Sequence, residues 1–529
     1  MTEGGIFLPI TGILTQNARK YAGEISLIER EPAAGRRREI TWLEFEHQAN
    51  QYANALIARG IGRGDRVAIL MMNCLEWLPI YFGILRTGAL AVPLNFRFSA
   101  EEIRKCIEAS GARLLFYGPE FLDRIAEIRD QLHCLEGRIF VGDDLIDNQC
   151  PPGAESHIGV LADASAHDPG ISISDEDVAA LYFSSGTTGT PKPIILTHAN
   201  LLSACITENT HHGQTHDDNF VCIPPLYHTG AKMHWFGSFL VGARAVILRG
   251  VKPRWVLEAV SEERATIVWL LVPWAQDIID AIEGGEVDLD DYCLDQWRLM
   301  HIGAQPVPPS LIRDWLRHFP AHQYDTNYGL SESTGPGCVH LGIENIHKVG
   351  AIGVPGYGWD TLIVDDDGKP VPQGKVGELI IRGPGVMKGY YNNSEATMAA
   401  LRDGWLYTGD MCKQDDDGFI FLVDRKKDVV ISGGENIYPV EIEDFLQAHE
   451  DIRDVAVIGM PDKRLGEVPV AIVELKTGRH LTEAKVMEFC AALPRYKRPR
   501  RVFFDKVPRN PTGKIEKPGL RERFYAGAV

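Results

Sequence analysis

The stretch YFSSGTTGTPKPIILTH, Tyr182 to His198, decides how the chain is read. Every residue from Ser184 to Thr190 is Ser, Thr or Gly, so no large side chain intrudes. Apolar residues 178–183 precede it and 194–196 follow it. That is strand, flexible hydroxyl-rich loop, strand. Gly186 and Gly189 permit backbone angles closed to other residues, and successive N–H groups can then turn inward as an anion nest. Ser184, Ser185, Thr187, Thr188 and Thr190 add hydroxyl donors. Lys192 adds a full positive charge, held extended by Pro193 behind it. The natural guest is a polyphosphate. The stretch is not the G-x-x-x-x-G-K-[ST] loop that opens a helix, because its glycines are three apart and Pro191-Lys192-Pro193 follows. Taken alone, a Gly/Ser/Thr run also fits a mobile polar surface loop.

Working outward, 529 residues are too many for one ordinary domain. With 45% hydrophobic and 24% charged residues the chain is globular and soluble. Its formal charge of −18, from 54 basic and 72 acidic residues, supplies no basic field for nucleic acid. Anionic ligands must be held by local sites. Ten scattered cysteines without a C-x-x-C pair fit reduced thiols in a cytoplasmic compartment. The acidic start lacks a signal-peptide pattern, and no uncharged apolar run is long enough to span a membrane.

Before the loop, residues 42–57 carry apolar side chains on one helical face. Strands at 67–71, 89–94 and 113–117 alternate with helices at 77–85 and 101–109, which implies βαβ units and a largely parallel sheet. Residues 151–171, rich in Pro, Gly, Ala and Ser, read as a surface connector. After the loop, Thr197 can cap a helix beginning near His198, and strands are predicted at 220–223, 245–248 and 266–272. His211, His212 and His216 carry metal-ligand chemistry. Their loose spacing, Gly213 and two nearby aspartates instead suggest a solvated loop. From 439 onward, helices at 439–448 and 483–493 and strands at 455–459, 469–475 and 501–504 form a small unit of their own.

The whole string 182–198 resembles the phosphate-binding signature of the adenylate-forming superfamily, which includes acyl- and aryl-CoA synthetases. Pro193 departs from it, since the family usually has Gly there. Further motifs follow in family order. His301-Ile302-Gly303-Ala304-Gln305-Pro306 looks like the adenine-side turn, and Thr326-Asn327-Tyr328-Gly329-Leu330-Ser331-Glu332 like the next motif. Tyr328 offers a face for adenine. Ser331 can donate to the α-phosphate. Glu332, with Thr187, suits Mg²⁺ held among phosphates. Trp405 to Asp410 resembles the ribose motif, in which Asp410 accepts from the ribose hydroxyls and Arg425 reaches ribose or phosphate. Pro508 to Lys514 resembles the last motif, in which Lys514 bridges substrate carboxylate and α-phosphate.

The resemblance implies an α/β fold. A large N-terminal domain, 1–424, has parallel sheets flanked by helices and a small β-barrel-like part. A small mobile α+β domain, 425–529, is hinged near Lys427. It further implies an ATP-dependent carboxylic acid–CoA ligase: acid and ATP give acyl-AMP and pyrophosphate, then CoA gives acyl-CoA and AMP. The catalytic set is Lys514, His228, Thr187 and Glu332, with His228 as the gate between acyl pocket and thiol tunnel. His228, Thr229, Lys232, Trp235, Val272, Trp274, Gly303, Gly329 and Gly335 surround the acyl group. Apolar and aromatic walls suit a medium-chain, aryl or cyclic acid; Lys232 or His234 could instead receive a distal polar group. Gly433 and Gly434 resemble the stretch facing pantetheine, and Arg97, Tyr496 and Arg498 resemble CoA contacts. ATP, Mg²⁺ and CoA are the implied cofactors and substrates, and a homodimer is the family's suggestion. A stand-alone adenylation enzyme passing its acyl group to another acceptor is the alternative.

Overall fold

The computed structural model describes residues 8–142, 150–184, 192–303, 307–509 and 515–525. Two large sheets dominate it. One has eight strands, in the order Gly389–Tyr390, Lys192–Thr197, Val178–Ser184, Leu90–Pro93, Arg66–Leu70, Leu114–Tyr117, Gly137–Phe140 and Glu155–Ser156. From Val178–Ser184 onward its pairings are parallel. The other has nine strands, and its parallel body runs Gln323–Gly329, Leu299–Gly303, Ile267–Leu271, Asn219–Cys222, Arg244–Leu248 and Ile25–Glu31. Helices cover these strands. Arg66–Leu70, Leu90–Pro93 and Leu114–Tyr117 are therefore continuous apolar runs rather than alternating ones.

Local chemistry fixes the helices. Trp42–Ala58 starts at a reciprocal cap, in which the Thr41 hydroxyl accepts from Glu44 N–H and the Glu44 carboxylate accepts from Thr41 N–H. It buries Trp42, Phe45, Ala49, Tyr52 and Ala53, the face read from the sequence. Trp77–Arg86 packs on it so closely that a Cβ at Gly83 would lie 2.5 Å from the Tyr52 Cβ. Thr197 caps His198–His212, its hydroxyl accepting from Asn200 N–H. The expected 151–171 connector contains more structure than its composition suggested. His157–Ala162 is a short helix, anchored where the His157 ring meets the Tyr52 hydroxyl and the Gly142 carbonyl.

Two smaller sheets follow. Asp360–Val364, Gly377–Arg382, Trp405–Gln414, Leu401–Arg402 and Ile420–Arg425 form an antiparallel five-stranded sheet. Its central strand, Trp405–Gln414, pairs with Gly377–Arg382, Leu401–Arg402 and Ile420–Arg425. The last sheet holds Glu435–Ile437, Val430–Ser432, Gly466–Leu475, Ile452–Asp462 and Arg501–Phe504. It has a core of its own, with Val430, Ile442, Leu446, Val457, Ala471 and Val473 among its residues.

His322 lies in an aromatic nest of Trp297, Trp315 and Phe319, and its Nδ1 accepts from the Trp315 indole N–H. Burial depresses its pKa from 6.5 to about 4. The unfolded chain takes up that proton near its ordinary value, whereas the folded chain resists it until about pH 4. The unfolded state thus binds more protons across this window, and stability falls as the pH is lowered through it. His322→Gln should flatten the dependence of unfolding free energy on pH across the window by up to about 1.4 kcal/mol per pH unit. Denaturant titrations at several pH values measure it; an unchanged slope would mean that the ring protonates in place.

Candidate active site

In parallel α/β sheets, ligands collect beyond the carboxyl ends of the strands. Four adjacent strands of the nine-stranded sheet end at candidate residues. Leu299–Gly303 ends at Gly303, and Gln323–Gly329 leads into Ser331 and Glu332. Ile267–Leu271 leads into Val272, and Asn219–Cys222 into the segment that carries His228. In the eight-stranded sheet Val178–Ser184 ends at the phosphate loop, where Ser184 pairs with Lys192 across the hairpin. Residues 185–191 and 304–306 lie outside the described residues. The nest donors Ser185, Gly186, Thr187, Thr188, Gly189 and Thr190 therefore have no described geometry, nor do Ala304 and Gln305. Lys514 and the side chains of Lys232 and His234 also lie outside.

The described remainder forms two connected chains. In the first, Asp410 is buried and opposes Arg425 across an antiparallel pair. Its carboxylate forms an ion pair with Arg425, Oδ1 lying 2.6 Å from Nε, and accepts a hydrogen bond from the Tyr328 hydroxyl at 2.5 Å. Burial works to lower the Arg425 pKa, but Asp410 and its neighbours outweigh it and the guanidinium stays charged. Three residues distant in sequence are thus held as one unit at the edge of two sheets. Thr326 shares the strand with Tyr328, whereas the Asn327 amide turns away to donate to Glu208 Oε1 at 2.8 Å.

The second chain was not foreseen. Lys192 Nζ sits 5.6 Å from the centre of the Tyr390 ring, and the Tyr390 hydroxyl donates to Glu332 Oε1 at 2.9 Å. Strand pairing brings Tyr390 there by setting it opposite Ile194. Burial, then the Glu332 charge, pushes the Tyr390 hydroxyl well above its ordinary range, so it remains a donor. Ser331 lies beside it, its hydroxyl 3.5 Å from that of Thr229. Thr334 takes φ +58°, an uncomfortable angle for a β-branched residue, and its hydroxyl donates to the Gly385 carbonyl at 2.7 Å. The only sequence signal for Tyr390 was an aromatic pair, Tyr390-Tyr391, in a glycine-containing turn.

At the acyl side, His228 is the N-cap of Thr229–Leu240, and its Nδ1 accepts from Gly230 N–H at 3.2 Å. In the neutral ring the proton then sits on Nε2. A Cβ at Gly230 would meet both His228 and the Trp269 ring at 3.2 Å, so the helix start runs against Trp269. Gly329 approaches the Gly335 carbonyl so closely that a Cβ would lie 2.5 Å away. Trp235 is fully buried against Phe236 and Phe239, a placement that core packing accounts for. Trp274 is half-buried at the start of Val272–Glu283.

The CoA-side candidates are dispersed. Gly433 and Gly434 have φ of +61° and +89° and form the two-residue turn of a hairpin, a conformation that favours glycine. Arg97 is exposed over the Phe96 ring. Arg498 is folded back onto the Leu493 and Ala491 carbonyls, and Tyr496 is exposed. Lys427 lies in the turn Lys426–Asp428, its pKa lowered by burial. Preceding it, Asp424 accepts from the N–H groups of Arg425 and Val440, and burial raises its carboxyl to about 6.

One reading is overturned. His211 and His212 are not in a solvated loop but in the last turn of His198–His212, directed at the buried Asp325. Only His216 fits the loop picture, stacked on Tyr21 and bonded to Glu24.

The AMP-binding enzyme model matches residues 14–391, and the AMP-binding enzyme C-terminal domain model matches 441–514. The chain belongs to the AMP-binding enzyme family. A feruloyl-CoA synthase from an Amycolatopsis species is 34% identical over 92% of this chain and 94% of its own. A long-chain-fatty-acid–CoA ligase from Mycobacterium tuberculosis is 32% identical over 92% and 93%. The crystal structure of an anthranilate CoA ligase in complex with anthranoyl-AMP superposes with a TM-score of 0.87, at 27% identity over 99% of this chain and 98% of that one.

Asp410→Asn keeps the size of the side chain but removes the charge facing Arg425. It should weaken ATP binding about 10–100-fold, the range for a hydrogen bond to a charged group. Tyr328→Phe leaves the carboxylate and should cost less, about 10-fold at most. Calorimetric titration with a non-hydrolysable ATP analogue ranks the two, and equal losses would refute that order.

Proposed function

We propose that this protein is an ATP-dependent carboxylic acid–CoA ligase, and that a medium-chain, aryl or cyclic acid is its substrate. The observation that carries the ligase reading is the Tyr328–Asp410–Arg425 unit at the strand ends, in a chain that matches CoA-ligase relatives over nearly its whole length. A carboxylate is a poor electrophile because its oxygen leaves badly. Attack on the ATP α-phosphorus makes a mixed anhydride and releases pyrophosphate; CoA thiolate then displaces AMP. Two anions must meet in the first step, so positioning and charge neutralisation dominate. Lys192, Arg425 and Lys514 supply positive charge, and Ser331 supplies a donor beside Glu332. The Glu332 carboxylate and Thr187 hydroxyl are the oxygen donors that would hold Mg²⁺, which adds charge neutralisation at the phosphates. That donor set fits the ion: Glu332 gives one oxygen to Tyr390 and retains a second.

Residues 1–424 bind ATP and acid in this reading, and 425–529 turn about Lys427. The turn exchanges Lys514 for the Gly433-Gly434 hairpin between half-reactions. Support comes from the separate core of the last sheet and from the charge-crowded turn at Lys426–Asp428. All ten cysteines are free, which fits a reducing compartment such as the cytoplasm. Among the described residues no helix is long and apolar enough to cross a membrane. A homodimer is the assembly we assign.

Pyrophosphate release with ATP and Mg²⁺ across short, medium, long, aromatic and dicarboxylic acids, with and without CoA, tests the reading. CoA-dependent turnover concentrated on medium-chain, aryl or cyclic acids is expected. Release indifferent to CoA, with a persistent adenylate, would instead identify an enzyme that hands its acyl group to another acceptor. Lys514→Ala should slow adenylation by about 100-fold or more while leaving thioester formation from supplied acyl-AMP intact. Equal loss of both half-reactions would remove the domain exchange.

A further inference from the structure

Behind the nucleotide-facing strands lies a cluster that the ligase reaction does not use. Asp325 is the third residue of Gln323–Gly329, with its side chain fully buried. His211 Nε2 is 2.5 Å from its Oδ1, and His212 Nε2 is 2.7 Å from its Oδ2. From the neighbouring strand His301, paired with Asp325 in register, sets its Nδ1 on the same Oδ2. The donor atoms of His211, His212 and Asp325 all lie within 4.8 Å of one another. Two elements supply them, the end of a helix and one strand, and the adjacent strand adds His301. The side chains of His212 and His301 are as buried as Asp325, and that of His211 is 9% exposed.

We propose that His211, His212 and Asp325, with His301 holding the carboxylate from behind, form a binding site for one divalent transition-metal ion of the zinc class. Imidazole nitrogens with one carboxylate oxygen are the donor set of such ions, whereas Mg²⁺ prefers oxygen alone. A tetrahedral ion with bonds of about 2.0–2.1 Å separates its donors by roughly 3.3 Å. The His211 and His212 contacts with Asp325 therefore open by under about 1 Å to admit it. The protons are accounted for. The His211 and His212 imidazoles each present a lone pair to the ion and carry the remaining hydrogen on the other ring nitrogen, His301 keeps its Nδ1 hydrogen on Asp325, and Asp325 binds as the carboxylate. For His212 that outer nitrogen, Nδ1, lies 3.4 Å from Glu208 Oε2; the Gln214 Nε2, 3.1 Å away, gives up its bond to this nitrogen when the nitrogen carries the hydrogen. A carboxylate behind a ligating histidine is the arrangement that orients such rings. Glu208 is in turn fixed by the Asn327 amide, next to Tyr328. The ion would thus pin the end of His198–His212 to the two strands that carry Gly303 and Tyr328. It would act on structure, with no part in the transfer of the acyl group.

The experiment uses the full chain without ATP, acid or CoA, so its outcome is independent of the ligase reading. Protein stripped with chelator, dialysed against Zn²⁺ or Co²⁺ in excess Mg²⁺ and washed, is assayed for bound metal, for the visible d–d bands of four-coordinate Co²⁺ and for thermal stability. About one ion per chain is expected, with a higher melting temperature than the stripped protein. His211→Ala, which leaves His212 and His301 on Asp325, should abolish the Co²⁺ bands. His216→Ala should not change them. Glu208→Gln should retain the site with roughly 10–100-fold weaker affinity. No retained ion in the wild type would overturn the proposal. So would an ion retained undiminished by His211→Ala, or lost with His216→Ala, because either places it elsewhere.

Discussion

A buried carboxylate at Asp410 is the constraint on which the molecule's layout depends. An unpaired charge there would be prohibitive, and a half-paired one strongly destabilising. Asp410 is compensated from two sides, by Arg425 on the next antiparallel strand and by Tyr328 from the large parallel sheet. The Tyr328 bond ties the antiparallel sheet to the carboxyl ends of the nine-stranded sheet, and the Arg425 pair joins two strands within the antiparallel sheet. Arg425 also ends the last strand before the turn that leads to the small C-terminal sheet. The same contact that pairs the buried Asp410 thus fixes where the chain leaves the large body.

The gathering of candidate residues at one end of the large sheet follows from strand order rather than from any one motif. Neighbouring parallel strands must deliver their following loops to the same edge, and here four of them bring His228, Val272, Gly303 and Ser331 together. The eight-stranded sheet adds Lys192 from the opposite side. Tyr390 joins the two by placing its ring under the Lys192 ammonium and its hydroxyl on Glu332. Such a bridge links the Lys192 ammonium and the Glu332 carboxylate through one aromatic ring.

Much of this was legible in sequence, and for identifiable reasons. The helix at Trp42–Ala58 and the strand–helix alternation that follows carry strong periodicity, so burial reveals itself in spacing. The Thr197 cap is a local event that involves residues a few positions apart. The connector at 151–171 misled because a six-residue helix needs little periodic signal once Tyr52 and Gly142 hold its first residue. The histidines misled for the opposite reason. Gly213 does end their helix, with φ +56°, but the sequence around it gave no sign that Asp325, more than a hundred residues later, receives both rings.

By itself, the sequence determined the family, the order of the motifs and the residue types that chemistry on a carboxylate and ATP requires. Those are properties of short strings, set by backbone freedom, charge and hydroxyl supply. Only the tertiary structure decided which of these residues act together. It paired Asp410 with Tyr328, set Tyr390 on Glu332, turned Asn327 away to Glu208 and gathered three histidines on Asp325. The physical reason is that hydrogen bonding and burial depend on distance in space. Sheet pairing brings into contact side chains that the chain itself separates by tens to more than a hundred residues.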